Sequence, residues 1–330
     1  MMWGALALAL LVPPAAGCGD DSKRGATITL VSYSSFPDQG TGINEALAEF
    51  SADTGIDVRI VDAGDAGTMV TKAVLTTGNP EGDVMWGVDN TLLSAATEGA
   101  IFEGDPVAVD FGDVCVNYDI AWFAERGITP PSTLDDLLAP EYADLLVVQD
   151  PAASSPGLAF LIATVAAKGD AWPQYWEALR DNGVEVAESW DTAYFERFSG
   201  AAGGSGDKPL VVSYGTSPPA EVVFADPPRD DAATGVAAGT CVRQVEYAGV
   251  LRGTEHADAA RRLVDFMTGE RFQRELPLSL FVYPIDPAVA LPEVFTRFAV
   301  VPDAPYTLDP EQIAAGREEW LEQWRRIVLD

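Results

Sequence analysis

The stretch from Ala26 to Gly64 constrains the fold most. "ATITLVSYSSF" is rich in β-branched residues, "GINEALAEFSADTG" carries apolar residues at helical spacing up to Gly55, and "IDVRIVDAG" is again a strand. Strand, helix, strand within forty residues predicts a βαβ unit, which needs a parallel sheet with helices on its faces. "MVTKAVLTTG", "GDVMWGVD" and "NTLLSAATEGA" continue the alternation as helix, strand and helix. This opening portion is therefore expected to be doubly wound.

The pattern repeats downstream. "VAVDFGDVCVNYD" reads as a strand, "IAWFAERG" as a helix and "LLVVQD" as a strand. The segment "QDPAASSPGLAFLIATVAAKG" then starts an apolar helix with more polar and turn residues than one N-cap needs. "AWPQYWEALRDNG" places Trp172, Tyr175, Trp176 and Leu179 at core spacing. "VEVAESWDTAYFERFSG" predicts a strand and a helix, "KPLVVSYGTSPPAEVVF" a strand ending at a Pro-Pro turn, and "CVRQVEYAGVL" a returning strand. Two helical segments close the chain, "TEHADAARRLVDFMTGERFQRELP" and "TLDPEQIAAGREEWLEQWRRIV". At 330 residues and 48% hydrophobic content, two lobes are expected rather than one core.

Charge and residue type exclude several functions. Fifty-one acidic side chains against twenty basic ones give a formal net charge of −31, which repels a phosphate backbone and argues against nucleic-acid binding. The sole histidine, His256, falls in the first turn of an amphipathic helix capped by Thr254, so neither a histidine metal site nor a Ser-His-Asp triad is supported.

Residues 1–18, "MMWGALALALLVPPAAGC", have the length and apolarity of an export signal and are too short and proline-interrupted to span a membrane. The small residues before Cys18 resemble the lipobox of bacterial lipoproteins. That implies lipidation at Cys18, although Ala15 stands where leucine is usual and no Lys or Arg precedes the apolar run. Residues 19–26 then serve as a tether. The remaining cysteines, Cys115 and Cys241, are an even pair in an exported chain and favour a disulfide.

The order of "YSSF", "DVMWGVDNTLL", "QDPAASSPGL", "SYGTSPP", "QVEYAG", "DFMTGERFQRELP", "VYPI" and "REEWLEQWRR" resembles that of the thiamine-binding receptors of bacterial ABC importers, which are type II periplasmic binding proteins. The resemblance runs from about residue 28 to the end. It implies an α/β fold of two lobes, each a doubly wound sheet flanked by helices and joined by hinge strands: residues 27–112 as the first lobe, 113–240 as the second, and 241–330 returning to the first with the C-terminal helices. It further implies a non-enzymatic, monomeric receptor that delivers thiamine, thiamine phosphate or thiamine diphosphate to a permease subunit while anchored outside the cell membrane or in the periplasm, with no resident cofactor and no metal.

The ligand class has a fixed thiazolium cation, a flat aminopyrimidine and a hydroxyethyl arm. Aromatic faces, a carboxylate edge and hydrogen-bond donors suit those parts. The family motifs carry over to Tyr33, Trp190 and Tyr214 as aromatic contacts, to Asp65 facing the pyrimidine, and to Ser154 and Ser155 at the arm. Phe281 stands where the family has a tryptophan and Ala220 where it has a tyrosine. Other solutes are alternatives: ferric ion, a polyamine or a phosphonate. Iron needs clustered oxygen ligands such as paired tyrosines, and "SYGTSPPA" offers only Tyr214. A further alternative is a thiaminase-like enzyme of the same fold, with Cys115 as nucleophile and Glu246 as its activating carboxylate.

Overall fold

The computed structural model describes residues 25–330, so the expected signal segment, Cys18 and most of the tether lie outside the described residues. The strands are β1 (Thr27–Ser32), β2 (Asp57–Asp62), β3 (Val84–Asp89), β4 (Val107–Asp119), β5 (Leu146–Gln149), β6 (Glu185–Ala187), β7 (Leu210–Tyr214), β8 (Thr234–Val250) and β9 (Tyr283–Pro284). They hydrogen-bond in the order β2-β1-β3-β8-β4-β7-β5-β6, with β9 beside β4. β1 pairs parallel with β2 and β3, and β5 pairs parallel with β6 and β7. Each parallel trio is the sheet of one lobe.

The two trios are joined by length. β4 has 13 residues and β8 has 17, and they run antiparallel through both lobes. At about 3.3 Å per residue each is longer than one lobe requires, so both become hinge strands. Their register slips between Val114 and Val116, where the partner on β8 jumps from Val242 to Ala237. The Cys115–Cys241 disulfide sits at this irregularity, with Cα atoms 4.1 Å apart. It forms the expected pair.

Strand alternation sorts the first lobe's core onto two faces. Ile28, Leu30 and Trp86 meet Ile43, Leu47 and Phe50 of the helix Gly42–Thr54 and Leu263 and Met267 of the helix Ala257–Met267. Val31, Met85 and Val88 cluster on the other face with Met69 and Val70 of the helix Ala66–Leu75. In the second lobe the helix Ser155–Lys168 is buried over most of its length. An all-round apolar helix belongs between two layers, here the sheet and the helix Trp172–Asp181.

The end of the chain departs from expectation. The helix Glu293–Phe298 packs on the second-lobe helix Ser217–Val223, and the terminal helix Pro310–Val328 packs on Trp172–Asp181. Trp324 meets Trp176 edge-to-face at 5.6 Å, and the Arg180 guanidinium donates to the Ile327 carbonyl at 2.8 Å. Residues 293–328 therefore pack mainly on the second lobe, although the terminal helix also touches the first-lobe helix Leu93–Glu98. The second lobe offers the aromatic surface that their apolar stripe covers.

Candidate functional site

A cavity of about 530 Å³ lies between the lobes. It opens beyond the ends of β1 and β7, where α/β sheets leave a crevice. Tyr33, Asp65, Ser154, Ser155, Trp190, Tyr214 and Phe281 all line it, as does Ala220. Positions spread over 249 residues of sequence are thus brought together.

Each side chain is placed by local chemistry. Tyr33 follows β1, and its ring lies over Gly87, whose φ is +105°. A Cβ there would sit 2.3 Å from the ring, so this close approach requires glycine. Asp65 precedes the helix Ala66–Leu75 and makes no side-chain cap hydrogen bond. Its Oδ2 is buried without a partner. Tyr214 ends β7. Phe281 holds a φ of +55° in the bend before β9 and stacks on Phe295, with centroids 6.1 Å apart.

The serines before Ser155–Lys168 do not cap that helix. Ser154 occupies the N-cap position without a side-chain cap hydrogen bond, and its buried Oγ has no partner. Ser155 Oγ donates instead to Asp89 Oδ2, at the end of β3 in the other lobe. The Ser154 hydroxyl stands beside the Asp65 carboxyl without a hydrogen bond to it and stays available to a guest, while Ser155 ties the lobes. A second tie lies alongside: Gly67 N donates to the Ala153 carbonyl at 3.1 Å.

Trp190 sits between β6 and a single π-helical turn, Thr192–Arg197, where an ordinary helix is expected. That turn stacks Tyr194 on Trp190 at 4.9 Å and sets Phe195 edge-on at 5.5 Å. The polar handles are satisfied: Trp190 Nε1 donates to Ser213 Oγ at 3.1 Å, and the Tyr194 hydroxyl to Glu221 Oε1 at 2.5 Å.

Buried acids gather at the lobe junction. Asp89 and Asp110 are fully buried and Glu246 is 7% exposed. Asp110 Oδ2 accepts from Trp86 Nε1 at 3.0 Å, while Asp110 Oδ1 and Glu246 Oε2 have no partner. Burial pushes the Asp89 carboxyl up to about 6, against hydrogen bonds from Thr91 and Leu92 that pull it down. Burial also raises Glu246 well above the usual carboxylate range, reinforced by Asp110 and then Asp89. Asp65 is raised too, first by desolvation. Among the described residues no Lys, Arg or His lines the cavity, whereas Asp65, Asp191, Glu221 and Glu246 do.

Residues 33–274 match the bacterial extracellular solute-binding protein family. The chain belongs to that family. It is 30% identical over 325 residues to a thiamine-binding periplasmic protein of Salmonella typhimurium, covering 94% of this chain and 96% of that one. A thiamine-binding periplasmic protein of Escherichia coli is 29% identical, with 91% and 93% covered. Among solved structures, a periplasmic thiamin binding protein superposes with a TM-score of 0.81 at 25% identity, covering 96% of this chain and 99% of that chain. Iron-bound HitA from Pseudomonas aeruginosa, at 19% identity and a TM-score of 0.68 over 92% of this chain and 99% of that one, shares the type II periplasmic binding protein fold.

For a solute-binding protein the informative residues include several that motif reading passed over. Asp191, Tyr194 and Phe195 are legible as neighbours of Trp190, but it takes the π turn to bring both Tyr194 and Phe195 to the cavity beside Asp191. Phe224 lies one helical turn beyond Ala220 and comes within 5.4 Å of Phe281, so a ring returns to the wall where the tyrosine is missing. The sequence offers Glu246 only as the partner of a Cys115 nucleophile. Cys115 is fully buried, bonded to Cys241 and absent from the lining, so the two do not form that pair.

Proposed function

We propose that this chain captures thiamine outside the cytoplasm and delivers it to an ABC importer, performing no catalysis itself. The observation that carries the reading is the composition of the cavity wall: aromatic rings from Tyr33, Trp190, Tyr194, Phe195 and Tyr214, four carboxyl groups, and no basic side chain among the described residues. A flat organic cation suits such a wall, with each desolvated cation-π contact worth on the order of 2 kcal/mol. A phosphate ester would meet carboxylates without a countercharge, so thiamine is the expected cargo in preference to its phosphates.

The two ties across the cleft, Ser155 to Asp89 and Gly67 to Ala153, define the closed form that a permease would recognise. Export and lipid attachment through Cys18 complete the proposal and place the receptor on the outer face of the membrane. A disulfide-bonded Cys115 supplies no resting thiolate, which favours binding over thiaminase-like cleavage. Calorimetric titration of the ligand-free protein tests the cargo. Saturable one-to-one binding of thiamine, tighter than that of thiamine phosphate, is expected. Tighter binding of the phosphate would overturn the preference, and no binding of either would overturn the function.

A further inference from the structure

We propose that Glu246 is the counter-ion of the bound cation and that its carboxyl surrenders a proton to solvent as the cation enters. The inference rests on the reading of the cavity as a site for a fixed organic cation.

Glu246 lines the cavity at the point where β8 crosses between the lobes, and it is 7% exposed. Its Oε1 accepts a 3.4 Å hydrogen bond from Gln244 Nε2, and its Oε2 has no partner. An unpartnered, nine-tenths buried oxygen facing a cavity lacks something that the guest can supply.

The groups around it explain why a proton would occupy that oxygen at rest. Asp89 faces it from β3 and Asp110 from β4, both opposing its ionisation, and Tyr214 faces it from β7, while the Tyr33 hydroxyl at the end of β1 stands close enough to pull the other way, a smaller effect than burial. None carries a positive charge. Arg243 points to the opposite face of β8 and is paired with Asp113 at 2.6 Å. Arg317 acts on Asp89 from the terminal helix. Three buried carboxyl groups sharing one low-dielectric site cannot all be ionised, and the proton they retain belongs to the cluster. The direction of the shifts, upward for Asp89, Asp110 and Glu246 with burial as the first cause, agrees with this placement.

A thiazolium cannot lose its charge, so it acts as a fixed positive neighbour and favours the carboxylate. The O–H bond of the carboxyl breaks, the electron pair stays on the Glu246 oxygen, and the proton passes to buffer. One positive charge enters and one leaves, so the buried site keeps its net charge. Selectivity follows from this exchange, because a neutral isostere of the same shape displaces no proton and leaves the carboxyl without its ion pair.

The test is calorimetry of thiamine binding at one pH in buffers of different ionisation enthalpy, repeated between pH 6.5 and 8. The wild-type protein should release close to one proton per ligand, and its affinity should rise with pH by up to about tenfold per unit. Glu246→Gln, checked for an unchanged melting transition, should bind about tenfold or more weakly at pH 8, with proton release near zero and a flat pH profile. Wild-type binding without buffer dependence would overturn the proposal, and so would undiminished proton release in Glu246→Gln. If the variant fails to fold, a flat wild-type pH profile still overturns the proposal. Absence of binding in every buffer would instead overturn the thiamine reading, and the counter-ion with it.

Discussion

The two walls of the cavity differ in how finished they are. The second lobe contributes a set of rings whose polar handles are already bonded: Trp190 to Ser213, and Tyr194 to Glu221. The first lobe contributes carboxyl oxygens left without partners, Asp65 Oδ2 and Glu246 Oε2. A satisfied aromatic wall is rigid before the guest arrives and offers the same faces to any flat molecule. An unsatisfied acidic wall is held at a cost of about 1–3 kcal/mol per lost bond and is relieved only by a guest with the right charge. The comparison teaches a division of labour: the second lobe supplies affinity for a ring, and the first selects a cation.

The division can be broken most forcefully on the aromatic side. Trp190→Ala removes the ring that Tyr194 stacks on, and it should weaken thiamine binding by about 1–3 kcal/mol, roughly fivefold to 150-fold, as read by calorimetry. The same titration followed by tryptophan fluorescence should lose most of its quenching. Unchanged affinity would remove Trp190 from the site.

A smaller effect sharpens the acidic side. Asp65→Asn keeps the shape of the side chain and removes its charge, so thiamine affinity should fall by up to about tenfold while a neutral analogue binds as before. Equal losses for charged and neutral ligands would mean that Asp65 acts by shape alone. A larger loss here than in Trp190→Ala would invert the comparison.

The paired serines give the smallest and most local contrast. Ser154→Ala deletes a hydroxyl with no partner in the protein, so the melting temperature should hold while affinity drops severalfold, about 1 kcal/mol. Ser155→Ala removes the donor to buried Asp89 and should lower the melting temperature instead, by an amount equivalent to about 1–3 kcal/mol. Identical behaviour of the two variants would contradict the separate roles assigned to them.

Much of this was legible in the sequence because its signals are local. Strand alternation in "ATITLVSYSSF" and helical spacing in "GINEALAEFSADTG" are set by neighbours, and both elements form where expected. The disulfide was legible from parity and compartment. The seven proposed lining positions converge because family motifs carry three-dimensional information that spacing alone lacks.

What was not legible depends on long-range contact. The helix Pro310–Val328 shows an amphipathic pattern, yet nothing in that pattern says which lobe its buried Trp324 will meet. Phe224 is 65% exposed and reads as a surface residue until Phe281, 57 positions later, is placed 5.4 Å away. The π turn at Thr192–Arg197 has no composition cue, and the sequence predicts ordinary helix through Tyr194 and Phe195. The cluster of Asp89, Asp110 and Glu246 arises where three strands cross, a geometry that no window along the chain contains.

Native mass spectrometry of the full-length protein, stripped of ligand and then offered equimolar thiamine, thiamine phosphate and thiamine diphosphate, decides whether the cleft holds thiamine itself. One dominant complex with the mass of a single thiamine is expected, weakened in both Trp190→Ala and Glu246→Gln. A spectrum dominated by either phosphate, or by the unliganded protein, would contradict it.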